Sequence, residues 1–435
     1  MKINIPETGQ KRVVIVGGGF AGLQLARKLS NSNYQVVLID KNNFHQFQPL
    51  FYQVAMSGLE PSSISFPLRK VFQKRKNVFI RVTEVQQIDT AAKCLHTPLG
   101  QVNYDYLVLA IGADTNFFGN DKIQRNAIPM KSVGEALYLR NVILQDYEKA
   151  LSTIDYDARQ ELIDIVIVGG GPTGVEVAGA LAEMKKYILP KDYKELNCDE
   201  IDIYLVQSGD RLLNGMSEEA AEAARRFLEE LDVKIIFNKR VTDFDGKNVY
   251  MNDGSSIPTQ KMIWAAGITG NSIEGIPADS KTYGNRLKVD RHNRVEGMEN
   301  VFALGDIAYM EEPDYPRGHP QVAQVAIQQA KQLAENLKAE QKGKNWEDFQ
   351  YKDLGSMATI GRNKAVVDLP NFKFQGFFAW TVWLFVHLFA LVGVKNRIFV
   401  FLNWVWNYFT YDQSLRLIIK MKPRQPSIEG EQPKT

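Results

Sequence analysis

The sequence predicts an α/β chain that carries one glycine-turn βαβ unit twice and ends in a helical, aromatic segment. Three observations predict it. A short β-branched run, residues 12–16 (RVVIV), leads straight into GGGFAG and a helix-like stretch ending at Leu29. The phrase returns about 150 residues later, where 163–168 (IDIVIV) leads into GGGPTG. From Phe372 to Phe409 the chain holds four of its six Trp residues.

In the first unit, Gly17, Gly19 and Gly22 form G-x-G-x-x-G between strand and helix, with Phe20 and Ala21 inside the turn. Gly17 permits the tight turn, Gly19 lets backbone approach a pyrophosphate, and Gly22 allows the helix to pack closely on the strand. The helix N-terminus offers free N–H groups and a favourable dipole to the phosphates. The next run, 35–39 (QVVLI), ends on Asp40, 18 residues past Gly22, followed by Lys41. An acid there suits a ribose hydroxyl. In the second unit Gly169, Gly171 and Gly174 repeat the pattern around Pro172 and Thr173, but its next strand, 201–206 (IDIYLV), ends on Gln207. Two further strands close on glycine, at Gly112 and Gly267, and a third, NVFALGD, closes on Asp306. Two fingerprints imply two dinucleotides, and FAD with NAD(P)H is the economical pair: one a bound redox relay, the other an exchangeable hydride donor. Taken alone, Asp306 reads better as a strand-end turn residue.

Composition narrows the class. At 435 residues the chain calls for two or three domains. A net charge of +2 provides no field for nucleic acid. The two cysteines, Cys94 and Cys198, are far apart and in no metal-ligand spacing, so neither a dithiol relay, a disulfide framework nor a metal site is expected. Residues 1–11 contain no apolar run, so no signal peptide is expected and the catalytic body is placed in the cytoplasm.

The order of motifs resembles the two-dinucleotide-binding flavoprotein superfamily, in which a FAD domain is interrupted by an inserted NAD domain. Within it the chain is similar to the type II NADH dehydrogenases, the single-subunit NADH:quinone oxidoreductases. The resemblance rests on IDKNNFHQFQPLFYQVA (39–55), GGGPTGVEVAGALAEM (169–184), AQVAIQ (323–328), ATIGRNKAVVDL (358–369) and the aromatic C-terminal segment. It implies FAD-binding segments at 11–120 and 276–340, an NAD(P)H domain at 121–275, C-terminal strands and membrane-anchoring helices at 341–420, and a loose tail at 421–435. It also implies non-covalent FAD, a membrane quinone as acceptor, and Asp306 against the ribityl region of the flavin.

Glu176 matches the family's acid near the nicotinamide, where it positions that ring or handles a proton; a first-turn acid favoured by the helix dipole is the plain alternative. Five glutamines between 321 and 332 read by themselves as a solvated helix face. The resemblance assigns Gln324 and Gln328, four apart on one face, to a quinone carbonyl, and leaves Gln321, Gln329 and Gln332 in solvent. The aromatic and polar residues of 44–53, notably Gln53, are expected on the approach to flavin and quinone. Many relatives have Glu where this chain has Gln207. The amide keeps the hydrogen bonds but loses the repulsion of a 2′-phosphate, and Arg211 follows, so NADPH is expected to be accepted beside NADH; negligible NADPH turnover at every accessible concentration refutes this.

Residues 377–394 form an 18-residue run without formal charge, and 398–409 carry Asn403 and Asn407 on one face. A spanning hairpin and a helix pair lying in one leaflet both fit. The resemblance favours the pair, which implies a monotopic protein on the cytoplasmic face of the cell membrane. A homodimer is compatible with the sequence. With no run of intramembrane carboxylates, proton pumping is not expected. The rival enzymes are sulfide:quinone- or ferredoxin-reductase-like, and a non-catalytic NADH sensor is the rival from another class.

Overall fold

The structure, a computed structural model, describes residues 3–412 and 415–419. The tail expected at 421–435 lies outside the described residues. Two parallel five-stranded sheets organise the chain. The first has the spatial order Val301–Ala303, Tyr106–Leu109, Arg12–Val16, Gln35–Asp40, Val78–Val82. The second runs Ile128–Pro129, Met262–Trp264, Ile165–Val168, Ile203–Val206, Val233–Ile236. In each, the strand that feeds the glycine turn is central and wholly buried, as a parallel sheet covered on both faces requires. The first sheet takes strands from both sides of the second along the chain. An antiparallel ribbon, Ala113–Thr115 with Ile268–Gly270, joins the ends of the two sheets just past Gly112 and Gly267.

The Ala323–Glu340 helix lies against the first glycine-turn helix, Phe20–Leu29, with Leu333, Ala334 and Leu337 in one core with Leu25, Ala26 and Leu29. Tyr34 ties this packing down by donating to the Leu337 carbonyl at 2.8 Å. The C-terminal part is an antiparallel sheet, Ser356–Gly361, Lys364–Leu369 and Phe372–Gln375, followed by two helices. Its first strand presses on the second glycine-turn helix, Pro172–Tyr187, at Gly179, where a Cβ would come within 1.7 Å of the Ile360 carbonyl oxygen. Only glycine allows that approach.

The 377–394 run is not one helix. It is helical over Phe377–Ala390, turns extended at Leu391 and passes through Gly393 at φ +89° before the second helix, Val394–Thr410. Phe66 fills the space beside Gly393, so a Cβ there would lie 2.4 Å from its ring. Among the described residues no helix is long and apolar enough to cross a membrane. Yet Phe378, Phe389, Trp406 and Phe409 are 63%, 65%, 59% and 78% exposed, whereas Trp383 on the inner face of the pair is fully buried.

Candidate functional site

The two glycine turns are geometric copies. Gly17 has φ +104° and Gly169 φ +111°. A Cβ on Gly17 would lie 2.2 Å from the Ala110 carbonyl oxygen, and one on Gly169 2.4 Å from that of Ala265. On Gly22 and Gly174 it would meet the oxygens of Gly17 and Gly169 at 1.8 and 1.9 Å. Gly19 and Gly171, in contrast, have nothing within 4 Å, so this side of each turn is open. Neither following helix has a side-chain cap. Each N-terminus, the second beginning with exposed Pro172 and Thr173, therefore presents unsatisfied N–H groups.

The strand-end residues close both turns in the same way. Asp40 Oδ2 accepts the Gly18 N–H at 2.5 Å and Oδ1 that of Asn42 at 2.6 Å. Burial raises this carboxyl above its ordinary value, opposed by those N–H groups and by the exposed Lys41 ammonium. Gln207 Oε1 accepts the Gly170 N–H at 2.9 Å and its Nε2 donates to the Arg211 carbonyl at 3.3 Å. Gln207 thus does structurally what Asp40 does, without its charge.

The first turn meets the late Asp306 segment. A Cβ on Gly305 would lie 3.7 Å from that of Ala21, and Phe20 sets its ring edge-on to His45 and Phe47. Asp306 is held in a short turn whose burial raises its carboxyl, opposed by Lys131 and Arg286. Here two of the glutamines expected in solvent bond the backbone beside Asp306 instead. Gln329 is 1% exposed, accepts the Gly305 N–H at 2.7 Å and leaves its buried Nε2 without a partner. Gln321 donates to the Asp306 carbonyl at 2.9 Å. Gln324 bonds the Leu354 N–H and the Gly355 carbonyl, and Gln328 both backbone groups of Lys352. These two amides brace the 352–355 segment, and neither lines a cavity with Glu176. Periodicity correctly put them on one face; it could not show that an extended chain covers that face.

Glu176 lines a cavity of about 120 Å³ with Tyr52, Gln53, Glu183, Thr359 and Arg362, and with Trp380, Trp383, Trp404 and Tyr408 of the two aromatic helices. Burial drives the Glu176 carboxyl from its ordinary 4.5 to about 8, against the pull of the Thr359 N–H. Gln53 joins the wall to the second aromatic helix: its Nε2 donates to the Tyr52 hydroxyl and its Oε1 accepts the Trp404 indole N–H, each at 2.7 Å. His387 stacks on Trp383, bonds that residue's carbonyl and is lowered to about 4 by burial, so it is a helix contact. A second cavity, about 250 Å³ and lined wholly by apolar and aromatic side chains, lies between the two aromatic helices. It shares Trp380, Leu384, Trp404 and Tyr408 with the first. Glu183 and Arg362 were not anticipated; the Glu176–Glu183 spacing of two helical turns was the available signal for the first.

Neither Cys94 nor Cys198 lines either cavity. Cys94 does, however, share a hairpin with Asp89 and His96, their ligand atoms all within 4.8 Å, a grouping that the linear spacing of the cysteines hides.

Comparison with known proteins agrees with this geometry. The family described as Pyridine nucleotide-disulphide oxidoreductase matches residues 11–330, and the NDH2 C-terminal domain matches residues 354–411. The type II NADH:quinone oxidoreductase Ndh of Mycobacterium tuberculosis is 36% identical over 418 residues, covering 92% of this chain and 88% of its own. The fold is that of NDH2 from Plasmodium falciparum, solved in complex with NADH, with TM-score 0.86 at 22% identity over 94% of this chain and all of that one. The sulfide:quinone oxidoreductase of Aquifex aeolicus is a more distant likeness, with TM-score 0.71 at 19% identity over 92% and 95% of the two chains.

Proposed function

The chain belongs to the type II NADH:quinone oxidoreductases, and from that premise we propose how its residues divide the work. It is an FAD-dependent enzyme that oxidises NADH and reduces quinone. The residues present fit the flavin. The first turn leaves Gly19 open, its helix N-terminus is uncapped, and Gln329 beside Asp306 holds an orphaned buried amide. In this reading Gly17–Gly22 and Asp40 hold the adenylate and pyrophosphate end, with Lys41 beside it, and Asp306 the ribityl region. Bound there, the flavin supplies a two-electron relay between nicotinamide and quinone. The turn Gly169–Gly174 with Gln207 holds the pyridine nucleotide, within a domain spanning 121–275. Gln207, neutral and already paired, puts no charge in the way of a 2′-phosphate, which supports acceptance of NADPH beside NADH.

One observation carries the quinone route: the Glu176 cavity and the apolar groove share four side chains, and the groove lies between helices whose outer faces are exposed and aromatic. A quinone head entering between the helices reaches Gln53, Tyr52 and Glu176 while its tail stays among Phe and Leu side chains. Substituting Ala180, on the cavity wall, by tryptophan is expected to raise the quinone KM roughly tenfold or more, since filling a preformed site costs at least 1–3 kcal/mol. Bleaching of the flavin by NADH should be untouched. Quinone kinetics identical to wild type in Ala180→Trp would refute the route. A thiol-relaying rival lacks its thiols here, because neither cysteine lines the cavity.

The same helices support peripheral binding to a lipid surface. The two span about 21 and 26 Å at 1.5 Å per residue, short of a hydrocarbon core of about 30 Å. Each phenyl ring moved from water into the interface contributes up to roughly 1.5–3 kcal/mol. The need for soluble NADH argues for the cytoplasmic face. No Asp or Glu occurs in 377–410, which supports electron transfer without proton pumping. Phe389→Glu with Phe409→Glu is expected to abolish co-flotation with phospholipid vesicles while activity with a water-soluble quinone persists. Undiminished flotation of that double variant contradicts the anchor.

A further inference from the structure

We propose that Glu183 and the Tyr52 hydroxyl form a proton-entry line that recharges Glu176 across the cavity. The proposal rests on reading that cavity as the quinone site. Reduction of a quinone by NADH takes up one proton from solvent for each quinol formed: NADH + H⁺ + quinone gives NAD⁺ + quinol. In that reading half-buried Glu176 gives its proton to the quinone oxygen and must recover one before the next turnover.

Glu176 and Glu183 are seven residues apart on the Pro172–Tyr187 helix, so both face one side, about 10.5 Å apart along the axis. Both line the cavity. That separation far exceeds the roughly 2.6–3.2 Å reach of a direct proton transfer. Tyr52 lines the same cavity, and the charges of both carboxylates act on its hydroxyl. It accepts a hydrogen bond from Gln53 Nε2, itself held by Trp404, which leaves the phenol hydrogen free to point into the cavity. A cavity of about 120 Å³ with this polar wall holds several waters, each needing roughly 10–15 Å³, to complete the line.

Glu183 is placed as the entry. It lies beneath the hairpin turn at Gly361–Arg362, accepting the Arg362 N–H at 2.6 Å. The groups facing it are that N–H, the Arg362 guanidinium, the Lys364 ammonium and Tyr52, with Glu176 on its own helix. The Arg362 guanidinium turns away to the carbonyls of Asn407 and Tyr408, and Lys364 pairs with Glu230 at the surface. Burial raises the Glu183 carboxyl, as suits a group that holds a proton and passes it on. Each transfer moves one proton along the line: bulk water to Glu183, through water and the Tyr52 hydroxyl to Glu176, with no group left altered.

Glu183→Gln tests this in the flavin-loaded enzyme, because the amide oxygen still accepts the Arg362 N–H and cannot relay. Anaerobic bleaching by NADH should keep its wild-type rate. Reoxidation by a short-chain quinone should slow roughly tenfold or more, with an unchanged quinone KM, a deficit that grows with pH and a larger solvent deuterium effect. Tyr52→Phe should show the same signature, and Glu183→Asp should recover part of the rate. If Ala180→Trp impairs quinone reduction while Glu183→Gln and Tyr52→Phe keep the wild-type rate and pH profile, the line is refuted and the cavity stands. If Ala180→Trp also has no effect, the cavity reading itself fails.

Discussion

Replacing Gly174 by alanine is expected to give a yellow protein that NADH bleaches only at much higher concentration. The added Cβ would lie 1.9 Å from the Gly169 carbonyl oxygen, a backbone atom that no rotamer change can move. Helix and turn must separate, and the N–H groups of Gly171 and the helix start lose their aim at a pyrophosphate. Overpacking of this kind costs about 1–3 kcal/mol, and 1.4 kcal/mol is a factor of ten in affinity, so the KM for NADH should rise at least tenfold. Flavin content should remain that of wild type, because the first turn is a separate structure on a separate sheet. The partner variant, Gly22→Ala, puts its Cβ 1.8 Å from the Gly17 oxygen and should give the opposite result: protein recovered without flavin and colourless. Flavin content by absorbance and the anaerobic bleaching rate separate the two. A Gly174→Ala enzyme reduced by NADH at the normal rate, or one that loses its flavin, contradicts the assignment of the second turn to the pyridine nucleotide.

These glycines were legible in the sequence because their constraint is local. A turn that brings backbone against backbone within six residues must omit side chains at fixed positions, and the pattern prints that geometry directly. The cavity was only partly legible. Its wall comes from 52–58, 176–183, 359–362, 380–384 and 404–408, segments that meet only through packing. Glu176 was found because it lies two residues past a recognised turn. Glu183 repeats it two turns along the same helix, but no short-range pattern distinguishes a cavity-facing acid from a solvated one. Gln324 and Gln328 show what spacing leaves out. Their spacing suited a shared ligand, while the 352–355 chain occupies both amides, and buried Gln329 sits beside Asp306 instead. In the aromatic segment, hydropathy was blind to the break at Leu391–Gly393, which a backbone passing through φ +89° enforces. Gly179 was equally silent, because it is needed for a strand that arrives 180 residues later.

Glu176→Gln is expected to lower quinone-dependent turnover about a hundredfold or more, the lower end of what a positioned proton donor contributes, while NADH still bleaches the flavin. With its carboxyl raised to about 8, Glu176 is protonated at neutral pH and can donate. The wild-type rate of the quinone half-reaction should therefore fall as pH rises through about 8, and in Glu176→Gln that alkaline limb should vanish, leaving a low rate insensitive to pH. The same residue makes an independent prediction for stability. A carboxyl whose folded value lies above its unfolded 4.5 favours the fold in its neutral form. That contribution is complete below pH 4.5 and is lost as pH climbs to about 8. Glutamine copies the neutral form at every pH, so the Tm of Glu176→Gln should gain on that of wild type across this window and hold the gain above it. Because solvent must be kept from Glu176 for either effect to arise, the two readouts fail together if the cavity is flooded and the carboxyl titrates near 4.5. A variant that is slow but shows no relative gain in Tm would instead mark Glu176 as a residue that orients substrate without holding the proton.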